Sequence, residues 1–369
     1  MAAITGPAYD ESDAAGNDSK RSNTAVDSNA SITSVAGIDS DTPNEGNMGI
    51  ASFDSKGSDR HMAQALDREA LERVIAVING KGGVLKTTLT ANVGGLLASS
   101  GYRVLLVDLD PQGNLAEDYG YTDTAADDQG AALAQAIMFG GEAKPISDVR
   151  LNLDIFAGGP LLEQATAGLV AKANKDPEGA KLALAKVLAP IAHNYDMILI
   201  DCPPGDETLQ TAAVAAARWA LVPVKTDKSS RKGLSAVATR LSSVLSVNST
   251  LDLLGVVLVG TGTGSHAIKA EARQHIAELF GADNDVAFTA TIRHSEATAQ
   301  ATRERGLLVH ELDERVRSGP KWYEIRRGEA EAQALAPRTA GSVADDLQAI
   351  AQEVVARVTA AETSGAAQS

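Results

Sequence analysis

The segment between residues 80 and 88, GKGGVLKTT, is rich in residue types that bind phosphate. It approaches the phosphate-loop pattern G-x-x-x-x-G-K-[ST], although Leu85 stands where the pattern has glycine and Lys81 adds a second lysine. A glycine-rich turn that opens a helix gathers backbone N–H groups at the positive end of the helix dipole. Lys86 is suited to the terminal phosphates and the Thr87 hydroxyl to Mg²⁺. The spacing predicts a nucleotide site.

Carboxylates follow two apolar segments elsewhere in the chain. VLLV at 104–107 ends on Asp108 and Asp110, and MILI at 197–200 ends on Asp201. Ligands of open α/β sheets bind outside the carboxyl ends of the strands. Phosphoryl transfer needs one acid that holds a metal and one group that positions water. We therefore expect Asp110 and Asp201 to serve a site shared with the loop.

The elements that must position these residues follow from hydrophobic patterning. Residues 73–79 and 104–107 predict strands on either side of a helix that begins after the loop, which makes a βαβ unit. Strands that are apolar throughout indicate a sheet covered on both faces. The prediction is an α/β fold with a mostly parallel, doubly wound sheet. Further strands are expected at 153–158, 197–201, 220–224, 255–260 and 288–292, and helices at 161–173, 180–193, 207–218, 231–246, 267–280 and 342–358.

Composition divides the chain into a folded part and tails. The first 72 of the 369 residues hold thirteen acidic and five basic residues, a net charge of −8, with few aromatic or β-branched clusters. Such a segment cannot bury enough apolar surface to become ordered. We predict a disordered acidic tail at 1–70, one α/β domain at 71–362 that includes the C-terminal helices, and a disordered end at 363–369.

Composition also excludes several classes of protein. The chain does not start with basic residues followed by an apolar run, so no secretory signal is predicted. No apolar stretch reaches the ~18–20 residues needed to cross a bilayer. The single cysteine, Cys202, excludes an internal disulfide and fits a cytoplasmic location. A net charge of −15 argues against undirected nucleic-acid binding but leaves room for a local basic patch.

Three motifs together resemble the ParA-type partition ATPases, which are P-loop ATPases with a deviant Walker sequence. They are KGGVLKTT at 81–88, LLVDLDPQGN at 105–114 and ILIDCPPG at 198–205, and the likeness covers about residues 73–310. The resemblance implies a P-loop NTPase fold and slow, Mg²⁺-dependent ATP hydrolysis. The nucleotide-binding residues it implies are Gly80, Lys81, Gly82, Gly83, Val84, Leu85, Lys86, Thr87 and Thr88.

The resemblance also implies a role for each chemical group. Lys81 would reach across an ATP-sandwiched homodimer to the partner's phosphates, and Asp110 would orient the hydrolytic water. Thr87 would bind Mg²⁺ directly and Asp201 through water, while Thr88 would touch the α-phosphate. Lys81, Lys86 and Asp110 are thus the expected catalytic residues.

Leu85 departs from the family pattern. Because this residue opens the helix, we expect a negative φ there, which a non-glycine residue tolerates. The hypothesis is that nucleotide still binds, with the Leu85 side chain packed away from the phosphates.

Other branches of the superfamily fit less well. MinD-like proteins carry a different sequence at DPQGN and end in a basic helix that lies on membranes. Here the last helix opens with two acids, which anionic lipid repels, so we expect it to pack on the domain and no membrane binding. Iron proteins of the nitrogenase type need more than one cysteine per subunit, and Cys202 is better explained as a small buried residue.

Partition ATPases bind DNA without sequence preference when ATP-bound, which requires phosphate contacts from Lys and Arg. Candidates for this face are Lys228, Arg231, Lys232, Arg240, Lys269 and Arg273. The expected function is DNA segregation in the nucleoid-associated cytoplasm, with hydrolysis triggered by a ParB-like centromere-binding protein. Two alternatives stay open: a related ATPase that positions a protein cargo without DNA, and a nucleotide-binding scaffold without turnover.

Overall fold

A computed structural model describes residues 66–262, 264–280, 286–319, 326–327, 337 and 339–366, without the side chains of residues 228–232 and 365–366. Most of the predicted acidic tail, residues 1–65, therefore lies outside the described residues. The folded unit begins earlier than the predicted boundary at residue 71. The Arg68 guanidinium donates hydrogen bonds to the carbonyls of Ala215 and Val247, at 2.6 and 2.7 Å. At the other end, the last helix continues to Ala366, so the prediction of disorder from residue 363 is wrong for residues 363–366.

The chain forms an eight-stranded sheet in the order β3-β4-β2-β5-β1-β6-β7-β8. Every pairing is parallel except that of β3 with β4, so the predicted fold class is confirmed. The strands are β1 (Val74–Val77), β2 (Val104–Asp108), β3 (Ile146–Arg150), β4 (Leu153–Phe156), β5 (Met197–Asp201), β6 (Trp219–Lys225), β7 (Asp252–Thr261) and β8 (Ala287–Arg293).

Twelve α-helices lie within the described residues, preceded by a short 3-10 helix at Glu69–Leu71. The first six are α1 (Lys86–Ser99), α2 (Asn114–Tyr119), α3 (Ala131–Phe139), α4 (Leu162–Ala173), α5 (Pro177–Lys181) and α6 (Ala183–Ala192). The others are α7 (Glu207–Ala216), α8 (Lys228–Ser242), α9 (His266–Phe280), α10 (Glu296–Arg303), α11 (Val309–Ser318) and α12 (Ala340–Ala366). The helix predicted at 180–193 is two helices, because Leu182 ends α5 and begins α6.

Both faces of the sheet are covered, as apolar strands require. In β1, Val74 and Ala76 contribute to one core cluster and Ile75 and Val77 to the other. The first cluster packs under α3–α9, and the second under α1, α2, α11 and α12. None of the helices in the described residues has the length and apolar character needed to span a membrane.

The last helix, α12, packs on the domain, as predicted. It contacts β8, α11 and α1, and its Val343, Leu347 and Val354 are buried in the second cluster. The Glu353 carboxylate accepts hydrogen bonds from the backbone N–H of Thr289 at 3.0 and 3.1 Å, at the sheet edge. An acidic side chain of this helix therefore satisfies a backbone N–H group of the edge strand β8.

A close backbone contact fixes the helices that follow β2 and β8. The backbones of Gly120, after α2, and Gly306, after α10, touch: a Cβ on Gly306 would lie 2.4 Å from the Gly120 Cα. Both glycines have positive φ, +73° and +57°. The Arg150 guanidinium donates to the Gly306 carbonyl at 3.0 Å and pairs with Glu311 of α11 at 2.6 Å.

Candidate functional site

The loop between β1 and α1 is held at the centre of the sheet. Strand β1 is hydrogen-bonded to β5 on one side and β6 on the other, and all four of its residues are buried. Asn79, which follows β1, donates to the Pro223 carbonyl of β6 at 2.8 Å and accepts from the Lys81 backbone N–H at 2.9 Å. This buried amide fixes the start of the loop to β6. From the sequence alone, Asn79 is predicted only as the end of a strand.

The loop delivers Lys86 into a buried position at the N-terminus of α1. Lys86 is only 6 % exposed, and its Nζ donates to the Lys81 carbonyl at 3.2 Å. Burial lowers the pKa of Lys86, while the nearby charges of Asp201 and Asp110 act in the opposite direction. The structure thus brings the loop lysine and both predicted acids into one electrostatic neighbourhood.

Asp201 lies at the end of β5 with both carboxylate oxygens buried. Neither oxygen accepts a hydrogen bond of normal geometry from any described residue. Burial raises the pKa of Asp201 to about 7, and the Thr87 hydroxyl and the Lys86 ammonium partly counteract this. A buried carboxylate without donors, next to a hydroxyl, has the oxygen chemistry that Mg²⁺ prefers. These residues fit a magnesium ion.

Asp108 is a further buried acid, and the sequence analysis gave it no role. It pairs in register with Asp201 across β2 and β5. Its oxygens accept hydrogen bonds from the backbone N–H of Asp110 at 2.9 Å and of Leu115 at 3.2 Å. Burial, and then the charge of Asp201, raise the pKa of Asp108. Gly158 makes room for it, since a Cβ there would lie 2.5 Å from the Asp108 Cγ.

Asp110 lies just beyond β2 and is 5 % exposed. Its Oδ1 accepts a hydrogen bond from the Gln112 backbone N–H at 2.9 Å. Its backbone carbonyl accepts from Gly113 at 2.9 Å and Gly159 at 3.1 Å. The sequence DPQGN therefore folds into a turn that fixes the Asp110 carboxylate.

Lys81 points away from Lys86 towards the exit of β6. Its Nζ is 3.0 Å from a carboxylate oxygen of Asp227, and both side chains are substantially exposed, at 34 % and 47 %. Ion pairs this exposed contribute only about 0–1 kcal/mol. The pair of Lys81 with Asp227 therefore contributes little to stability.

Leu85 adopts the left-handed conformation, with φ 60° and ψ 29°. The expectation of a negative φ is wrong. Residue 85 is still the N-cap of α1 and not yet helical, and the turn into the helix requires the conformation for which most phosphate loops use glycine. A non-glycine residue there is strained by about 1–2 kcal/mol.

The Leu85 side chain is half-buried against the second core cluster. The positive φ counts against the hypothesis that nucleotide binds with Leu85 in an ordinary helical conformation, and binding itself stays a prediction. Leu85 lines a cavity of about 260 Å³ with Thr88 and Asn92, which is closed by the exit of β8 and by α10 and α11. The buried Asp118 also lines this cavity, with its Oδ1 3.5 Å from the Arg303 guanidinium. Burial raises the pKa of Asp118 to about 6, against the lowering effect of Arg303.

Cys202 is fully buried next to Asp201, as predicted. Burial raises the pKa of its thiol far above the usual value, with the charge of Asp201 acting in the same direction. The thiol is therefore a small packing group.

The predicted DNA-binding residues lie on α8 and α9, on one face of the sheet. The side chains of Lys228, Arg231 and Lys232 are not described. Arg240 is 2.8 Å from a Glu207 carboxylate oxygen and donates to the Thr211 hydroxyl at 3.0 Å.

The two candidates on α9 also contact the fold itself. Lys269 donates to the Thr291 hydroxyl at 3.0 Å, and Arg273 donates to the Thr289 carbonyl at 2.9 Å. The assignment of a DNA face stays a prediction.

A parallel sheet with a glycine loop between its central strand and a helix, a buried lysine and two strand-end acids defines a P-loop nucleotide-binding protein. Residues 72–253 match the family model described as an AAA domain. The chain is 30 % identical over 257 residues to the chromosome-partitioning ATPase Soj of Treponema pallidum, covering 68 % of this chain and 94 % of Soj. The chain belongs to the family of ParA-type P-loop partition ATPases.

Solved structures agree with this fold. Apo McdA from Cyanthece superposes with a TM-score of 0.57 at 24 % identity, covering 65 % of this chain and 93 % of McdA. The cobyrinic acid a,c-diamide synthase of Mycobacterium smegmatis with bound ADP and magnesium has a TM-score of 0.50 at 28 % identity, covering 68 % and 97 %.

Proposed function

We propose that the protein is an ATP-dependent DNA-partitioning ATPase. In this proposal an ATP-bound homodimer binds DNA without sequence preference and hydrolyses ATP slowly until a ParB-like centromere-binding protein stimulates it. The observation that carries the nucleotide part is the donor-free, buried Asp201 carboxylate beside Thr87 and Lys86. The partition part is supported by the likeness to the Soj ATPase.

The residues of this chain divide the work as follows. The N–H groups of the loop and the Lys86 ammonium would hold the phosphates, and Thr87 and Asp201 would hold Mg²⁺. The ion would neutralise phosphate charge. Asp110, held by the turn after β2, would orient the attacking water.

Lys81 would leave Asp227 to contact the phosphates in the partner subunit. The exposed pair offers little resistance, because pairs of this kind stabilise by about 0–1 kcal/mol at most. A lysine on a flexible stem can thus exchange a carboxylate in its own chain for a phosphate across a dimer.

The deciding experiment is retention of the full chain on non-specific DNA with ATP, ADP or no nucleotide, at several salt concentrations. The proposal expects retention with ATP only, weakening as salt rises because counterions are released on binding. Lys81→Ala should abolish ATP-dependent retention while leaving ATP binding nearly intact. Equal retention in all three nucleotide states would contradict the proposal.

The DNA face can be tested by reversing charges on α8. Lys228→Glu combined with Arg231→Glu should remove retention, and Lys186→Glu, on the exposed surface of α6, is the matched control. Arg240 is better replaced by Gln, because a glutamate there would face the Glu207 carboxylate. Unchanged retention in the double variant would remove α8 from the DNA face.

The engagement of Arg240, Lys269 and Arg273 with their own fold favours a second candidate function. Here the same ATP-driven dimer positions a protein cargo and does not use DNA. ATP-dependent dimerisation without DNA retention at low salt would select this function.

A further inference from the structure

A third lysine reaches the phosphate loop from the neighbouring strand. Lys225 is the last residue of β6, where it pairs in register with Val259 of β7. Because β6 runs parallel to β1, its carboxyl end opens at the same edge of the sheet as the loop. The proposed mechanism gives Lys225 no role.

The side chain of Lys225 lies against two glycine turns. Its Nζ is 4.0 Å from the position that a Cβ atom would take on Gly83, whose φ is +70°. Its Cε is 3.6 Å from the corresponding position on Gly260, the penultimate residue of β7. The stem therefore runs along the exit of β7, and the ammonium reaches the middle of the loop that collects N–H groups for an anion.

Lys225 differs from the two motif lysines in its contacts. Lys81 is paired with Asp227, and the Lys86 ammonium donates to the Lys81 carbonyl. Lys225 is half-buried, and among the described residues its Nζ makes no hydrogen bond and no ion pair. Lys225 lines a cavity of about 210 Å³ together with Asp227 and Glu271.

Charge balance then points to the ligand. An ammonium that is partly removed from water needs an anionic partner, and a charged hydrogen bond is stronger than a neutral one. The phosphate loop at this edge of the sheet is suited to a polyphosphate, which is such an anion.

We propose that Lys225 is a third phosphate-binding lysine, which contacts the nucleotide in its own subunit. This role rests on the proposed function, since it requires ATP at the loop. In contrast to Lys81, Lys225 needs no partner subunit. It would strengthen ATP binding by the monomer, before any dimer forms.

The test is an equilibrium titration of the full chain with a fluorescent ATP analogue and Mg²⁺, at a protein concentration that keeps it monomeric. Lys225→Met, which keeps the apolar stem, should bind roughly tenfold more weakly or worse, as expected for loss of one charged hydrogen bond. Its affinity should also depend less on salt. Lys225→Arg should stay within about threefold of the parent, since it restores the charge.

Two further variants separate the possible outcomes. Lys186→Met, an exposed lysine on α6, should bind as the parent does, and Lys86→Ala should lose binding. If Lys86→Ala loses binding while Lys225→Met matches the parent, the proposed function stands and the role of Lys225 is overturned. If the parent chain itself takes up no ATP, the proposed function fails and the role of Lys225 with it. Lys225→Gln repeats the measurement should the methionine variant unfold, as judged by its thermal transition without nucleotide.

Discussion

Replacing Leu85 tests the most unusual backbone position of the site. At ordinary helix positions alanine is more stabilising than glycine by about 1 kcal/mol. At Leu85, with φ 60°, the order should reverse, because only glycine adopts this conformation without strain.

The magnitudes follow from strain, burial and chain entropy. Removing the half-buried side chain costs about 1–1.5 kcal/mol, half the value of a fully buried leucine. Leu85→Ala keeps the strain and should lose this amount. Leu85→Gly loses the same contact, relieves about 1–2 kcal/mol of strain and adds about 0.5–1 kcal/mol of chain entropy. Its free energy of unfolding should therefore lie between about 0.5 kcal/mol above and about 1.5 kcal/mol below that of the parent, and above that of the alanine variant.

The assay is urea unfolding of nucleotide-free protein, with alanine and glycine also placed at Val170 as a control. Val170 is an exposed apolar residue within α4, so its alanine variant should be more stable than its glycine variant. If alanine is as stable as glycine or more so at position 85, the left-handed assignment is refuted. The same variants, titrated with ATP, show whether the leucine affects nucleotide binding.

Three other measurements follow from the geometry. Because burial raises the pKa of Asp118 to about 6, the folded state binds its proton more tightly than the unfolded state, so its contribution to stability is lost as pH rises from about 4 to about 6. The loss of stability is at most about 3 kcal/mol, and Asp118→Asn should reduce it, as measured by urea unfolding at pH 4.5 and 7.5. If the parent and the variant lose the same stability between these two pH values, the role of Asp118 is contradicted. Gly306→Ala should lower the free energy of unfolding by at least about 2 kcal/mol, because the new methyl group would lie 2.4 Å from the Gly120 backbone. Gly101→Ala is the control, since no atom lies within 4 Å of its new methyl group and only backbone strain of about 1 kcal/mol is expected. Equal losses of stability in thermal unfolding would argue against the contact between Gly306 and Gly120. Asp227→Asn and Lys81→Met, compared with the double variant, should give a coupling energy below about 1 kcal/mol in urea unfolding, since the pair is exposed; a larger coupling would show that Lys81 is not readily released.

The sequence predicted the parts of the fold that depend on local pattern. Strands such as VLLVD are apolar throughout and end on an acid, which is visible without any partner strand. The antiparallel strand β3, ISDVR, was missed because three of its five residues are polar and it lies at the edge of the described sheet. Helices α10 and α11 were missed for a related reason: few of their residues are buried.

For the site, residue type was a good guide to chemistry and a poor guide to conformation. Lys86, Asp110 and Asp201 meet because parallel strands bring their ends to one edge. The φ of Leu85 was wrongly predicted because residue 85 was taken as the first helical residue, whereas it is the N-cap, where the turn into α1 requires a positive φ. The contacts of Asn79 and Lys225 depend on β6 lying beside β1, which no local pattern reveals.

Strand β1 has a hydrogen-bonded neighbour on each side, so the loop that follows it is anchored in the stiffest region of the molecule. A nucleotide that binds there would meet a preformed loop and would change its conformation little. A change in the number of bound phosphates would then have to be met outside the loop backbone, by side chains such as Lys81 and Asp227, whose ion pair is exposed.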